Sequence, residues 1–196
     1  SATSASKMSI LSKEIDMQKE KIRQLAAEWK AFASGGSLSE DDAIKTFEWL
    51  QSSKVGIKVI SGDNAQAVST IAKSAHIKDA DKYVSLDGKT LDETYECAMK
   101  YTVFGRVSPE QKEILVKAFK NQGKTVGMTG DGVNDILALK RADCSIAVAS
   151  GSDAARNVSH IVLLDNDFSH LPEVIAEGRR VVNNLQRTSS VFLVKT

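Results

Sequence analysis

Three short stretches carry residues whose types and spacing suit phosphate and metal chemistry. The most specific is Met128-Thr129-Gly130-Asp131-Gly132-Val133-Asn134-Asp135. It reads as a strand ending in two glycines and two carboxylates four residues apart, with a carboxamide between them. Glycines let a backbone turn tightly, and hard carboxylate oxygens suit a Mg²⁺ ion shared with a phosphate. Reading both aspartates as helix caps leaves the glycines and Asn134 without a purpose.

A second stretch, Val59-Ile60-Ser61-Gly62-Asp63-Asn64, delivers a hydroxyl and a free amide at the end of an apolar strand, where Ser61 and Gly62 could hold a phosphate oxygen. Taken alone, Asp63 or Asn64 serves as well as a helix cap. In the third, Arg106-Val107-Ser108-Pro109-Glu110-Gln111-Lys112, Pro109 suits the first turn of a helix. Lys112 then lies about one turn in, able to reach back to a phosphate or to stand in solvent like most helical lysines.

The elements that must position these residues alternate. Strands are expected at Val55–Ser61, Val103–Gly105, Thr125–Thr129, Ser145–Val148 and Ile161–Leu164. Helices are expected near Ala43–Leu50 and at Ala65–Ala75, Pro109–Asn121, Val133–Arg141 and from about Leu171 to Val194. This alternation is that of an α/β, Rossmann-like doubly wound parallel sheet, whose ligands sit beyond the carboxyl ends of the strands.

Ahead of that domain, Met8, Leu11, Ile15, Ile22, Leu25, Trp29 and Phe32 recur at gaps of three and four, broken only by Gln18. This predicts an amphipathic helix that covers either its own fold or another copy of itself, so residues 8–33 are a candidate homo-oligomer contact. Ser34-Gly35-Gly36-Ser37 reads as a flexible joint and residues 1–7 as disordered. The expected organisation is therefore 1–7, 8–36, 37–170 and 171–196.

Bulk properties narrow the function. With 196 residues, 42% hydrophobic and 26% charged, the chain can bury a core, and a net charge of +1 gives no reason to expect nucleic acid as a partner. Cys97 and Cys144 show no metal-ligand spacing and read as core fillers of a reducing compartment. No run approaches the ~20 apolar residues that span a bilayer, so the chain as it stands is expected to be soluble.

Thr129-Gly130-Asp131-Gly132-Val133-Asn134-Asp135 resembles the hinge signature of P-type ATPases, members of the haloacid dehalogenase superfamily. By that resemblance Ser61-Gly62-Asp63 corresponds to the second phosphate-binding motif and Lys112 to the phosphate-neutralising lysine. Asp131 and Asp135 correspond to the Mg²⁺ carboxylates, and Asn134 would orient the phosphoryl group. Supporting catalytic roles fall to Lys112 and Asp131, with Mg²⁺ as cofactor and ATP used in the full-length parent.

The resemblance runs from about Ile44 to Thr196. It takes in Val103-Phe104-Gly105-Arg106-Val107-Ser108-Pro109, Ala142-Asp143-Cys144-Ser145-Ile146-Ala147 and the ending Gly178–Arg187, which is similar to the stalk helix leading to a transmembrane segment. It implies a cytoplasmic part of a cation pump of a bacterial plasma membrane, of the calcium or magnesium type. Its partners would be the nucleotide-binding, actuator and transmembrane domains.

The family's nucleophile lies in an Asp-Lys-Thr-Gly-Thr stretch that these residues do not contain. Asp87-Gly88-Lys89-Thr90 is the nearest string, but it follows no buried strand and reads as a loop ahead of a helix. The Asp-Pro-x-Arg stretch usual before the helix near Ala43 is also missing. This chain alone is thus expected not to autophosphorylate, since phosphoryl transfer needs an acceptor.

In the superfamily the absent strand lies between those ending at Ser61 and Thr129. The two edges are therefore expected to pair directly, to be covered, or to be filled by a second molecule. The alternative function is a phosphatase-like binding module without a nucleophile, dimerising through residues 8–33.

Overall fold

The computed structural model describes residues 40–164 and 168–194. In chain order its elements are α1 (Glu40–Ser52), β1 (Val59–Ile60), α2 (Ala65–Ser74), β2 (Tyr83–Ser85), α3 (Leu91–Cys97), β3 (Val103–Gly105) and α4 (Pro109–Asn121). There follow β4 (Gly127–Thr129), a 3₁₀ turn at Val133–Asp135, α5 (Ile136–Arg141), β5 (Cys144–Val148), α6 (Asp153–Val158) and β6 (Ile161–Leu163). A second 3₁₀ turn, Phe168–His170, leads into α7 (Leu171–Val194).

Strand β1 is shorter than the expected Val55–Ser61, for a local reason. Lys54 adopts φ 63, and the Val55 amide turns back to donate to the Leu50 carbonyl at 3.0 Å. Val55 is thereby spent on closing the C-terminus of α1 and is lost to the sheet. The helix expected at Val133–Arg141 likewise begins as a 3₁₀ turn, with the Asp135 amide donating to the Gly132 carbonyl at 3.1 Å. Strand β2 was not anticipated, and its three residues are exposed or half-buried, without the apolar run that announces an interior strand.

Among the described residues all strand pairs are parallel, in two sheets ordered β1-β3-β2 and β4-β5-β6. In the first, successive side chains of β3 serve opposite faces. Val103 joins Phe47, Leu50, Val68 and Ala72 of α1 and α2, while Phe104 joins Leu86, Leu115 and Phe119 on the other side. Both are fully buried, each burial being worth about 1.5–3 kcal/mol. Helices therefore cover both faces, as the continuous apolar strand predicts.

Helix α4 joins the two sheets. Its Leu115 and Phe119 pack in the cluster that Ile60 and Val126 border, and its Val116 packs with Ala138 and Ala142 against Val126 and Met128. The strands β1 and β4 are nonetheless the end strands of their sheets. Direct pairing between them, one of the three expected outcomes, does not occur among the described residues. Val59 and Ser61 donate to Thr102 and Phe104 at 2.9 Å, and Gly130 donates to Ile146 at 3.2 Å. The alternate residues Ile60 and Thr129 turn their amides to the other side. The expectation that the helix at 8–33 covers its own fold or another copy of itself lies outside the described residues.

Helix α7 begins on the domain and then leaves it. Leu171 is buried and Ile175 packs against the cluster of α1, where Phe47 and Phe168 lie 5.7 Å apart between ring centroids. Val181, Val182 and Leu185 are exposed. Among the described residues no helix is long and apolar enough to cross a membrane. Cys97 and Cys144 are free thiols, half-buried at the margin of the core.

Candidate functional site

The loop after β4 is built around the Asp135 carboxylate. One oxygen, Oδ2, accepts the Gly132 amide at 3.1 Å, and the other, Oδ1, accepts Lys112 Nζ at 2.7 Å. Both side chains are largely withdrawn from water, at 11% and 13% exposure, so the ion pair is costly to break on one side only. A β-carbon on Gly130 would stand 2.7 Å from the Asp135 β-carbon, so no other residue fits there without displacing the carboxylate. Asp131 lies between these two glycines and is exposed, and its side chain has no hydrogen bond among the described residues.

The loop after β1 is closed by a reciprocal contact. Ser61 Oγ donates to Asp63 Oδ2 at 3.1 Å while the Asp63 amide donates to Ser61 Oγ at 3.1 Å. Asn64 caps α2, accepting the amides of Gln66 and Ala67 at 3.0 and 3.3 Å. Asp63 does not cap. A β-carbon on Gly62 would meet nothing within 4 Å, so the space beside its α-carbon is open.

Two main-chain bonds weld this loop to the one after β3. The Val107 amide donates to the Ser61 carbonyl at 3.1 Å and the Arg106 amide to the Asp63 carbonyl at 2.8 Å, with Arg106 at φ 53. Immediately beyond, Ser108 and Gln111 form a capping box and Pro109 opens α4. Lys112 is thus carried one turn into a rigidly started helix and placed against Asp135. The Ser61 loop is thus bonded to the segment that leads into α4, and Lys112 on that helix is paired with Asp135, at the carboxyl ends of β1, β3 and β4. Asn134 is exposed, with no hydrogen bond among the described residues.

The string Asp87-Gly88-Lys89-Thr90 stands elsewhere. Gly88 takes φ 70 in a turn, Thr90 caps α3 in a capping box with Glu93, and buried Gln111 donates to the carbonyls of Leu86 and Lys89, both at 2.9 Å. Asp87 is exposed on this pinned turn after β2, at the far edge of the first sheet from β1.

One contributor escaped the sequence reading. The Ser152 amide donates to the Asp131 carbonyl at 2.8 Å, bringing the loop between β5 and α6 against the glycine loop. The stretch 150–156 resembles the family but was given no part in the site, and its local signal is Ser152 before Asp153, an ordinary helix start, which Ser152 does provide by accepting the Ala155 amide at 3.2 Å.

The donor set fits Mg²⁺. Such an ion takes one or two carboxylates and completes its octahedron with phosphate oxygens and water. Asp131 offers a carboxylate with no hydrogen bond among the described residues, four positions before one paired with Lys112. No cluster of three or more metal-ligating His, Cys, Asp or Glu occurs among the described residues.

Comparison with known proteins places this site in context. The haloacid dehalogenase-like hydrolase family matches residues 13–143, reaching further towards the N-terminus than the motifs identified above. A probable cation-transporting ATPase of Streptococcus pneumoniae is 47% identical over 156 residues, 80% of this chain and 20% of the relative. The calcium-transporting ATPase CtpE of Mycolicibacterium smegmatis is 47% identical over 159 residues, 79% of this chain and 20% of the relative. The chain therefore spans about a fifth of the length of these relatives.

Among solved structures, the catalytic domain of the CPx-ATPase CopB-B is 30% identical over 67% of this chain and 44% of its own, with a TM-score of 0.53. A zinc-transporting PIB-type ATPase gives 27% identity over 74% of this chain and 20% of its own, with a TM-score of 0.56. On its matched residues, its parallel-stranded α/β fold and its likeness to P-type ATPase catalytic domains, the chain belongs to the haloacid dehalogenase-like hydrolase family.

Proposed function

We propose that this chain is the Mg²⁺- and phosphate-binding part of the phosphorylation domain of a cation-transporting P-type ATPase. The observation that carries it is the largely buried Lys112–Asp135 pair, 2.7 Å long, at the mouth of a glycine loop that leaves Asp131 open. Lys112 would neutralise a phosphate oxygen, the Ser61 hydroxyl and the Gly62 amide would donate to another, and Asn134 would orient the group. Asp131 and Asp135 would hold Mg²⁺, which offsets phosphoryl charge when bound.

The partners are the nucleotide-binding, actuator and transmembrane parts of the pump, consistent with relatives some five times longer than the match. The parent protein would use ATP and sit in a bacterial plasma membrane with this part on its cytoplasmic side. Calcium is the cargo named for several similar relatives. Selection of the ion belongs to membrane segments outside these residues.

None of the residues at the site is an aspartate in the nucleophile's sequence context, so the chain alone should not be phosphorylated. Incubation with γ-³²P-ATP or acetyl ³²P-phosphate and Mg²⁺ should leave no acid-stable, alkali-labile label. A labelled aspartyl phosphate would refute that part of the assignment. Loss of Mn²⁺ binding in Asp131→Asn, followed by electron paramagnetic resonance, is the expected outcome for the metal role, and unchanged binding would remove it.

A further inference from the structure

The reading of Asp131 as a cation ligand leaves a question of aim, because its side chain is held by nothing among the described residues. Its main chain, by contrast, is held firmly from the loop between β5 and α6. The Ser152 amide donates to the Asp131 carbonyl at 2.8 Å. At Gly151 a β-carbon would stand 3.0 Å from the Asp131 carbonyl oxygen and 3.2 Å from its α-carbon, so backbone packs directly on backbone.

That loop is itself gripped by one side chain. The Arg156 guanidinium donates through Nη1 to the Ala149 carbonyl and, at 3.0 Å, to the Gly151 carbonyl, and through Nη2 to Asp153 Oδ1. The carbonyl of Gly151 and the amide of Ser152 belong to one peptide unit. Arg156 therefore holds the oxygen end of the very plane whose nitrogen end holds Asp131. A planar, multidentate donor fixes such a plane where a single flexible ammonium does not. Arg156 starts from α6, which is anchored by the Ser152 cap and by fully buried Ala155.

We propose that Arg156 is a positioning residue for Asp131: by locking the Gly151–Ser152 peptide it aims the Asp131 carboxylate at a divalent cation bound with phosphate. This rests on the assignment of Asp131 as a ligand, and the experiment separates the two. Outer partners that orient metal ligands typically govern affinity by 10–100-fold.

Mn²⁺ binding to the full chain, with inorganic phosphate present, is measured by the free-ion paramagnetic signal. Asp131→Asn, Arg156→Ala, Arg156→Lys, Gly151→Ala and the Asp131→Asn/Arg156→Ala pair are compared. The expected result is an affinity about tenfold weaker in Arg156→Ala, a smaller loss in Arg156→Lys, and no further loss from Arg156→Ala once Asp131 is Asn. Gly151→Ala, which leaves Arg156 intact, should weaken binding as well, and the Ser152 amide should exchange with deuterium faster in Arg156→Ala. Wild-type affinity in a folded Arg156→Ala or Arg156→Lys would overturn the proposal while leaving Asp131 as a ligand. Wild-type affinity in Asp131→Asn would overturn both.

Discussion

At the residue scale, the Lys112–Asp135 pair decides most. Each partner is nearly withdrawn from water, so removing one leaves an uncompensated charge. Lys112→Met should therefore cost about 3 kcal/mol in urea unfolding. The Lys112→Met/Asp135→Asn double variant should cost less than the sum of the single variants by about 1 kcal/mol or more. The glycines divide just as sharply. Gly130→Ala pushes a methyl to 2.7 Å from Asp135 and should cost roughly 1–3 kcal/mol, whereas Gly62→Ala enters open space and should stay within about 0.5 kcal/mol. Equal melting of the two alanine variants would contradict this geometry. The proposed chemistry of these residues was suggested by their types, and the tight place of Gly130 by its position between strand and carboxylate. The pairing of Lys112 with Asp135 across 23 residues was not, because it depends on how α4 and α5 pack.

At the scale of elements, the start of α4 was legible to the residue, since Ser108, Pro109 and Gln111 form a local cap that needs no tertiary partner. The join between β4 and β5 was not. There the Asp143 carboxylate accepts Lys120 Nζ at 2.8 Å and the Val126 amide at 2.8 Å, and these bonds, that to Lys120 foremost, hold it below the usual carboxylate range. A carboxylate with a lowered folded-state value contributes stability that is complete above its unfolded value and is lost as the pH falls through the folded one. Urea midpoints of the wild type should thus fall with acidification below the ordinary 3.8 of an aspartate, and Asp143→Asn should lack that part of the slope. Parallel pH profiles for the two proteins would exclude the contribution.

At the scale of the whole molecule, among the described residues two parallel sheets share a bridging helix while β1 and β4 remain end strands. Main-chain groups on such edges are open to exchange and to foreign strands. The amides of Ile60 and Thr129 should exchange with deuterium at least tenfold faster than those of Val59 and Gly130, which donate within their sheets. Equal protection would show that these edges are closed in solution. By itself the sequence determined most of the order of strands and helices, β2 and α6 aside, together with the three loops that hold the candidate site and the family they resemble, because periodicity, caps and glycine placement act over a few residues. Only the tertiary structure decided that Asp135 is taken up by Lys112 while Asp131 stays open, that Val55 closes a helix, and that the strands fall into two sheets. Each of these turns on contacts between residues distant in sequence, or on competition for a single amide, and neither leaves a local pattern to read.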